Sequence, residues 1–263
     1  MEFEFDGCVF AYNDEGEGHP IVLTHGAGVD RAMFADQVDY LVDNDFRVIT
    51  WDQRLHGASR PAAQPFTAPQ AVADLGALLD HLELERPVLV GQSLGGNVSQ
   101  AFVRAEPHRA AALVVIDAAW NTGPLTRVER LLVKSAAPSL GMIPSSRLPR
   151  MMADASAETP RARAYAEAAF AALPKRDFLD VWRATVDFLD PTPDYVTPIP
   201  LLLVRGSSDA TGTIATSMPE WAAYEGIDEI VIDGAGHLAT MDAPDAVNEA
   251  LLAFVRRVTV PQL

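Results

Sequence analysis

The chain has a single cysteine, Cys8, which excludes an internal disulfide and any thiolate-rich metal site. Positive charge is scarce. There are 20 Lys and Arg against 36 Asp and Glu, a formal net charge of -16 at pH 7, and no basic cluster stands out. Nucleic acid and anionic membrane surfaces would be repelled on average, so neither is an expected partner, and the acidity reads as a well-solvated surface. No run reaches the roughly 18 apolar residues of a membrane span. The opening "MEFEFDG" lacks the basic segment and apolar core of a secretion leader, so the expected location is cytoplasmic. Internal repeats, low-complexity tracts and flexible linkers are also missing.

What is present is a large apolar fraction. Of 263 residues, 49% are hydrophobic and 21% charged, as in a globular protein with a core large enough to bury a site. Short β-branched runs alternate with helical patterns. "PIVLTHG" (Pro20 to Gly26), "RVITWD" (Arg47 to Asp52), "PVLVG" (Pro87 to Gly91), "ALVVID" (Ala112 to Asp117), "IPLLLVRG" (Ile199 to Gly206) and "DEIVID" (Asp228 to Asp233) have the length and composition of buried parallel strands. "DGCVFAY" is a further strand candidate, with Cys8 as a packed thiol. Helical spacing follows in "PQAVADLGALLDHL" (Pro69 to Leu82) and "PDAVNEALLAFVRRV" (Pro244 to Val258), the latter after a proline suited to the first turn. The alternation predicts an α/β fold, a doubly wound and mostly parallel sheet flanked by helices.

Residues 120–195 break this rhythm. They lack a convincing strand and carry helical patterns at Arg161 to Leu173 and Arg176 to Leu189. The expected organisation is an α/β core of residues 1–119 and 196–263, with residues 120–195 as a helical cap over the strand ends, all in one compact unit.

"VLVGQSLGGNVSQAF" sets Ser93 in a Gly-x-Ser-x-Gly spacing, directly after a strand and before a helical run. Gly91 and Gly95 would remove the side chains that collide where strand and helix meet steeply, leaving Ser93 on a strained, exposed turn as a nucleophile. The plainer alternative is a helix cap. A serine hydroxyl needs a base and an acid to orient that base. His237 in "DGAGHLATMDAP" follows the last strand by a glycine-rich loop, which suits a base, although it could be an ordinary loop histidine. Two carboxylates at strand ends could reach it. Asp209 in "LLLVRGSSDATGT" yields the chain order Ser, Asp, His and is preferred; Asp117 at the end of "LVVIDAAW" is the alternative acid. Donors for a developing oxyanion would come from the loop "LTHGAG" and from the N–H of Leu94 at a helix N-terminus.

These motifs together resemble the α/β-hydrolase superfamily, and its small capped members in particular. "THGAG" resembles the oxyanion loop, with Ala27 at the position whose N–H is used. "GQSLGG" resembles the nucleophile elbow, "RGSSD" the acid loop and "GAGHLATMDAPDAVNEALLAF" the histidine loop and last helix. Leu55 departs from the pattern, standing in "WDQRLHGAS" where relatives usually carry glycine, and no role is transferred to His56. The resemblance implies hydrolysis of a small, largely apolar carboxylic ester, lactone or thioester through an acyl-serine, with no metal or cofactor. Carbon–carbon bond hydrolysis, acyl transfer and cofactor-free perhydrolysis use similar residues. A ligand sensor with a slow triad is the alternative from another class.

A small-molecule substrate implies a pocket lined from the cap. Met33, Phe34, Trp120, Met151, Met152, Phe170, Phe178 and Trp182 are its candidates, though apolar positions at helical spacing mostly serve packing. The oligomeric state is left unassigned.

Overall fold

The computed structural model describes residues 1–259, with the side chains of Val128 and Leu132 excepted; residues 260–263 of the expected core segment lie outside it. In chain order, the first elements are β1 (Glu2–Phe5), β2 (Cys8–Glu15), β3 (His19–Thr24), α1 (Ala35–Val42), β4 (Phe46–Trp51) and α2 (Ala68–His81). There follow β5 (Val88–Gln92), α3 (Leu94–Ala105) and β6 (Ala112–Ile116). Four helices then intervene, α4 (Arg127–Gly141), α5 (Leu148–Ser156), α6 (Pro160–Ala172) and α7 (Lys175–Asp187). The chain continues through β7 (Leu201–Gly206), α8 (Ile214–Glu225), β8 (Ile230–Ile232), α9 (Ala239–Asp242) and α10 (Pro244–Thr259).

Among the described residues, eight strands form one sheet in the order β1-β2-β4-β3-β5-β6-β7-β8. β2 runs antiparallel to both its neighbours, and every pairing from β4 onward is parallel. Both faces of the sheet are covered, which is why its central strands read as continuous apolar runs. Side chains alternate between the faces. Ile21, Leu23, Val88, Val90, Val114 and Ile116 enter one core, whereas Val22, Leu89, Leu113 and Val115 enter the other.

Local chemistry sets the helix ends. Thr67 caps α2 by accepting from the Gln70 N–H, and Pro69 occupies its first turn. Thr126 and Glu129 form a reciprocal capping box on α4. α8 ends on Gly226, in the left-handed region at φ 69°. Asp6 and Gly7, both at positive φ, make the turn of the β1–β2 hairpin. No helix among the described residues is long and apolar enough to cross a membrane.

This layout brings the C-terminal ends of β3, β5, β6, β7 and β8 to one edge of the sheet, and the four-helix insertion leaves the sheet from that edge between β6 and β7.

Candidate active site

Ser93 is the single residue between β5 and α3, at φ 51° and ψ -119°, a conformation few non-glycine residues adopt. Its N–H donates to the Ile116 carbonyl at 2.9 Å, and its carbonyl accepts from Asn97 at 3.0 Å, so both sides of the strained peptide are held. A Cβ on Gly91 would strike the Gly95 carbonyl, and one on Gly95 would strike the Thr24 carbonyl. The turn therefore requires both glycines. The Ser93 hydroxyl makes no capping bond to α3. It lies instead 2.9 Å from Nε2 of His237.

His237 follows β8 by a short loop, and its Nδ1 lies 2.9 Å from Oδ2 of Asp209, which follows β7. The consistent tautomer has Nδ1–H donating to the carboxylate and Nε2 accepting the serine proton. Burial works against a charged imidazole, but the Asp209 charge and hydrogen bond, with a contribution from Asp117, outweigh it and raise the His237 pKa above its ordinary 6.5. Burial would raise Asp209 in turn; the His237 charge and bond and the Thr211 amide, at 2.8 Å, bring it below its ordinary value.

Asp117 directly follows β6, at φ 46°, and is fully buried. Its Oδ1 accepts the Gly206 N–H at 2.7 Å, while Oδ2 has no partner among the described residues. Burial pushes its pKa well above the carboxylate range, assisted by the Asp209 charge and opposed by His237. The two carboxylates are thus distinguished by contact: Asp209 bonds the imidazole, and Asp117 anchors the β6–β7 junction.

Gly26 and Ala27 of the loop after β3 lie beside Ser93. His25 is fully buried, its Nε2 accepting the Gln53 N–H at 2.9 Å and its Nδ1 bonding the Gly26 carbonyl at 2.7 Å. His56 Nε2 accepts the Gly28 N–H at 3.0 Å, and its Nδ1 bonds the Arg54 carbonyl at 2.9 Å. Burial holds both imidazoles neutral, His25 down to about 4 and His56 down to about 3. Leu55, next to His56 in the chain, does adopt the left-handed conformation glycine favours, at φ 67°. Ala27 shares a cavity with Ser93, and Leu94 opens α3, where N–H groups lack intrahelical acceptors.

That cavity holds about 280 Å³. Ala27, Ser93, Asn97 and Ala119 form its floor; Glu129, Val133 and Ala136 of α4, Trp182, Thr185 and Val186 of α7, and the Thr211–Ile214 segment form its walls. Of the expected pocket residues, Trp182 is the one on this wall. Met33 and Phe34 are buried in the core instead, in a 3₁₀ turn leading into α1. Trp120 stacks on Trp221 with centroids 6.1 Å apart and faces an outer, proline-lined cleft. Met151 is exposed to solvent, whereas Met152, Phe170 and Phe178 line a separate cavity of about 180 Å³ between α5, α6 and α7. Phe170 also fills the space over Gly28 where a Cβ would sit. A wider cleft of about 770 Å³ runs between α2, α3 and the segment after α7, away from Ser93. No cluster of three metal-ligating side chains occurs among the described residues.

Residues 21–250 match the model of the alpha/beta hydrolase family, which takes in all three loops. The chain belongs to this family. Among curated family relatives, the non-heme chloroperoxidase of Streptomyces lividans is 34% identical over 116 residues, 43% of this chain and 42% of that protein. The 3-oxoadipate enol-lactonase 2 of Acinetobacter baylyi is 32% identical over 103 residues, 39% of this chain and 38% of that protein. The matched stretches thus span about two fifths of these relatives' length. Over the whole fold, a thermophilic esterase from Thermogutta terrifontis superposes with a TM-score of 0.83 at 25% identity, covering 99% of this chain and 100% of that one.

Several residues that hold this site together carry no motif of their own. Gln92, buried beside Ser93, donates from Nε2 to the His237 carbonyl at 2.7 Å. Asp242 accepts from the N–H groups of Gly236, Glu158 and Thr159 at 2.8–3.0 Å, and Leu238 donates to the Ser156 carbonyl at 2.8 Å. The histidine loop is therefore tied to the α5–α6 junction of the insertion. A glutamine ending the elbow strand was the one signal within reach; the others are tertiary contacts with no local pattern.

Proposed function

We propose that the protein is a serine hydrolase cleaving a small, largely apolar carboxylic ester, lactone or thioester through an acyl-Ser93 intermediate. The observation that carries this reading is the unbroken chain of 2.9 Å contacts from Ser93 Oγ through His237 to Asp209 beside a cavity of about 280 Å³. In this reading Ser93 Oγ attacks the carbonyl carbon as Nε2 of His237 takes its proton. The tetrahedral oxyanion is received by the N–H groups of Ala27 and Leu94. Its collapse expels the alkoxide or thiolate, which takes the proton back from His237. Water, activated by the same imidazole, then releases the acid and restores the serine. Asp209 stabilises the imidazolium throughout, and α4 and α7 act as the cap that excludes bulk water.

A second reading has support in the chloroperoxidase relative. Hydrogen peroxide replacing water at the acyl-Ser93 stage would release a peracid and regenerate the serine hydroxyl, with no metal or haem.

The test is steady-state hydrolysis of p-nitrophenyl acetate and butyrate, with peroxide added in a parallel series. Sustained turnover is expected, and Ser93→Ala should lose on the order of 10⁵-fold or more. A protein that stops after a few turnovers yet melts higher with ligand would be a sensor, and the hydrolase reading would be wrong.

A further inference from the structure

We propose, resting on the ester-cleaving reading above, that Glu129 selects the substrate by charge: the cavity takes uncharged and ammonium-bearing esters and refuses carboxylates. Glu129 is the sole residue of formal charge among the described residues lining the cavity, and none of them is Lys or Arg. The rest of the α4 and α7 wall is Val133, Ala136, Trp182, Thr185 and Val186, which offers a carboxylate no cationic partner, and the Thr185 hydroxyl already donates to the Val181 carbonyl. An anion placed there would meet the like charge of Glu129, whose bonds to Thr126 are solvent-exposed.

The geometry of α4 fixes this arrangement. Glu129, Val133 and Ala136 follow at spacings of four and three residues and so share one face of the helix, the face that lines the cavity. The cations of the same helix fall elsewhere. Arg127, Arg130 and Lys134 are all exposed to solvent. None of the three lines the cavity. Glu129 is also held in place, because its Oε2 accepts the Thr126 N–H at 2.8 Å and its own N–H donates to Thr126 Oγ1 at 3.2 Å. These bonds to Thr126 keep its carboxyl below its ordinary range, so it is charged throughout the neutral range. The chain's net charge of -16 adds a weaker field of the same sign. A lactone that carries a free carboxylate is accordingly a poor fit, although an enol-lactonase stands among the relatives.

The experiment compares three p-nitrophenyl esters of similar size: pentanoate, the monoester of glutarate, and 4-(trimethylammonio)butyrate, with background hydrolysis subtracted. At low ionic strength, kcat/KM is expected to fall from the cationic to the neutral to the anionic ester, spanning roughly tenfold or more, and the span should narrow in 0.5 M NaCl as charge is screened. Glu129→Gln removes the charge but keeps a residue that completes the capping box, so α4 should persist, which melting temperature checks. In that variant the cation-to-anion ratio should collapse to within about threefold. Equal turnover of the anionic and neutral esters by the wild type overturns the proposal. So does a preference that survives Glu129→Gln, which would assign it to the overall charge. Failure of the underlying reading looks different: no turnover of pentanoate at all, or turnover that survives Ser93→Ala.

Discussion

The side-chain amide of Gln92 donates to the main-chain carbonyl of His237 at 2.7 Å. Gln92 is the last residue of β5 and Ser93 is the next, so the strand that presents the serine also grips the loop that presents the imidazole. The Ser93–His237 separation is in this way set by the central sheet strand β5. Gln92→Met keeps the bulk and removes the amide. Misplacement of a reacting group by a fraction of an ångström is costly, so kcat should fall by about 10- to 100-fold while KM changes little. Steady-state kinetics on p-nitrophenyl butyrate, with a melting curve to confirm folding, checks this; an unchanged kcat would remove Gln92 from any positioning role.

The pH profile follows from the Asp209–His237 pair. His237 serves as base when neutral, and burial is outweighed by Asp209, so its pKa lies above 6.5. kcat/KM should therefore decline as pH falls through a midpoint above 6.5, not at or below it. Asp209→Asn removes the raising charge and should move that midpoint down. Rates measured from pH 5 to 9, where the protein remains folded, test both statements.

The two carboxylates separate on contact and charge. Asp209 touches the imidazole, and its conversion to asparagine should cut turnover by as much as ~10⁴. Asp117 is forced towards its neutral form by burial, and its Oδ1 accepts from Gly206 as an amide oxygen also could. Asp117→Asn should therefore cost no more than about tenfold. Single-turnover acylation of both variants decides the matter, and a severe loss for Asp117→Asn beside a mild one for Asp209→Asn would exchange their roles.

Acid stability should depend on the paired histidines of the oxyanion side. His25 and His56, edge to face at 4.9 Å, are held by burial at about 4 and about 3, whereas both titrate near 6.5 when unfolded. Below 6.5 the unfolded chain binds protons that the native state refuses. Their contribution is thus complete above 6.5 and drains away as pH falls towards 4, on the order of 3 kcal/mol for each histidine. His56→Gln retains an acceptor for the Gly28 N–H without titrating. Its Tm should drop less steeply between pH 7 and 5 than that of the wild type, and parallel curves would show that these imidazoles do not govern acid stability.

Much of this arrangement was legible because it depends on local rules. The central strands announce themselves as apolar runs, since a sheet covered on both faces has no polar side to alternate. Gly91 and Gly95 flank Ser93 for a steric reason that the spacing already states, and the loops carrying Asp209 and His237 follow their strands directly. The pocket wall was not legible. Met33, Phe34, Met152 and Phe178 have the character of lining residues, but the same apolar character serves packing between helices, and only tertiary structure separates the two. α4 falls inside the helical cap expected for residues 120–195 but shows no helical pattern of its own there, because Pro138 lies within it and the helix presents Glu129 beside Val133 on its inner face. The grips of Gln92, His56 and Asp242 join positions far apart in the chain and leave no periodic trace.

The central claim is that Ser93, activated by His237, is the nucleophile. Its most direct test is stoichiometric labelling with a fluorophosphonate, read by intact-protein mass and peptide mapping. The account predicts one phosphonyl group per chain, placed on Ser93, absent from Ser93→Ala and formed at least ~100-fold more slowly in His237→Ala. A label that forms equally well in Ser93→Ala, or that maps to another residue, would contradict it.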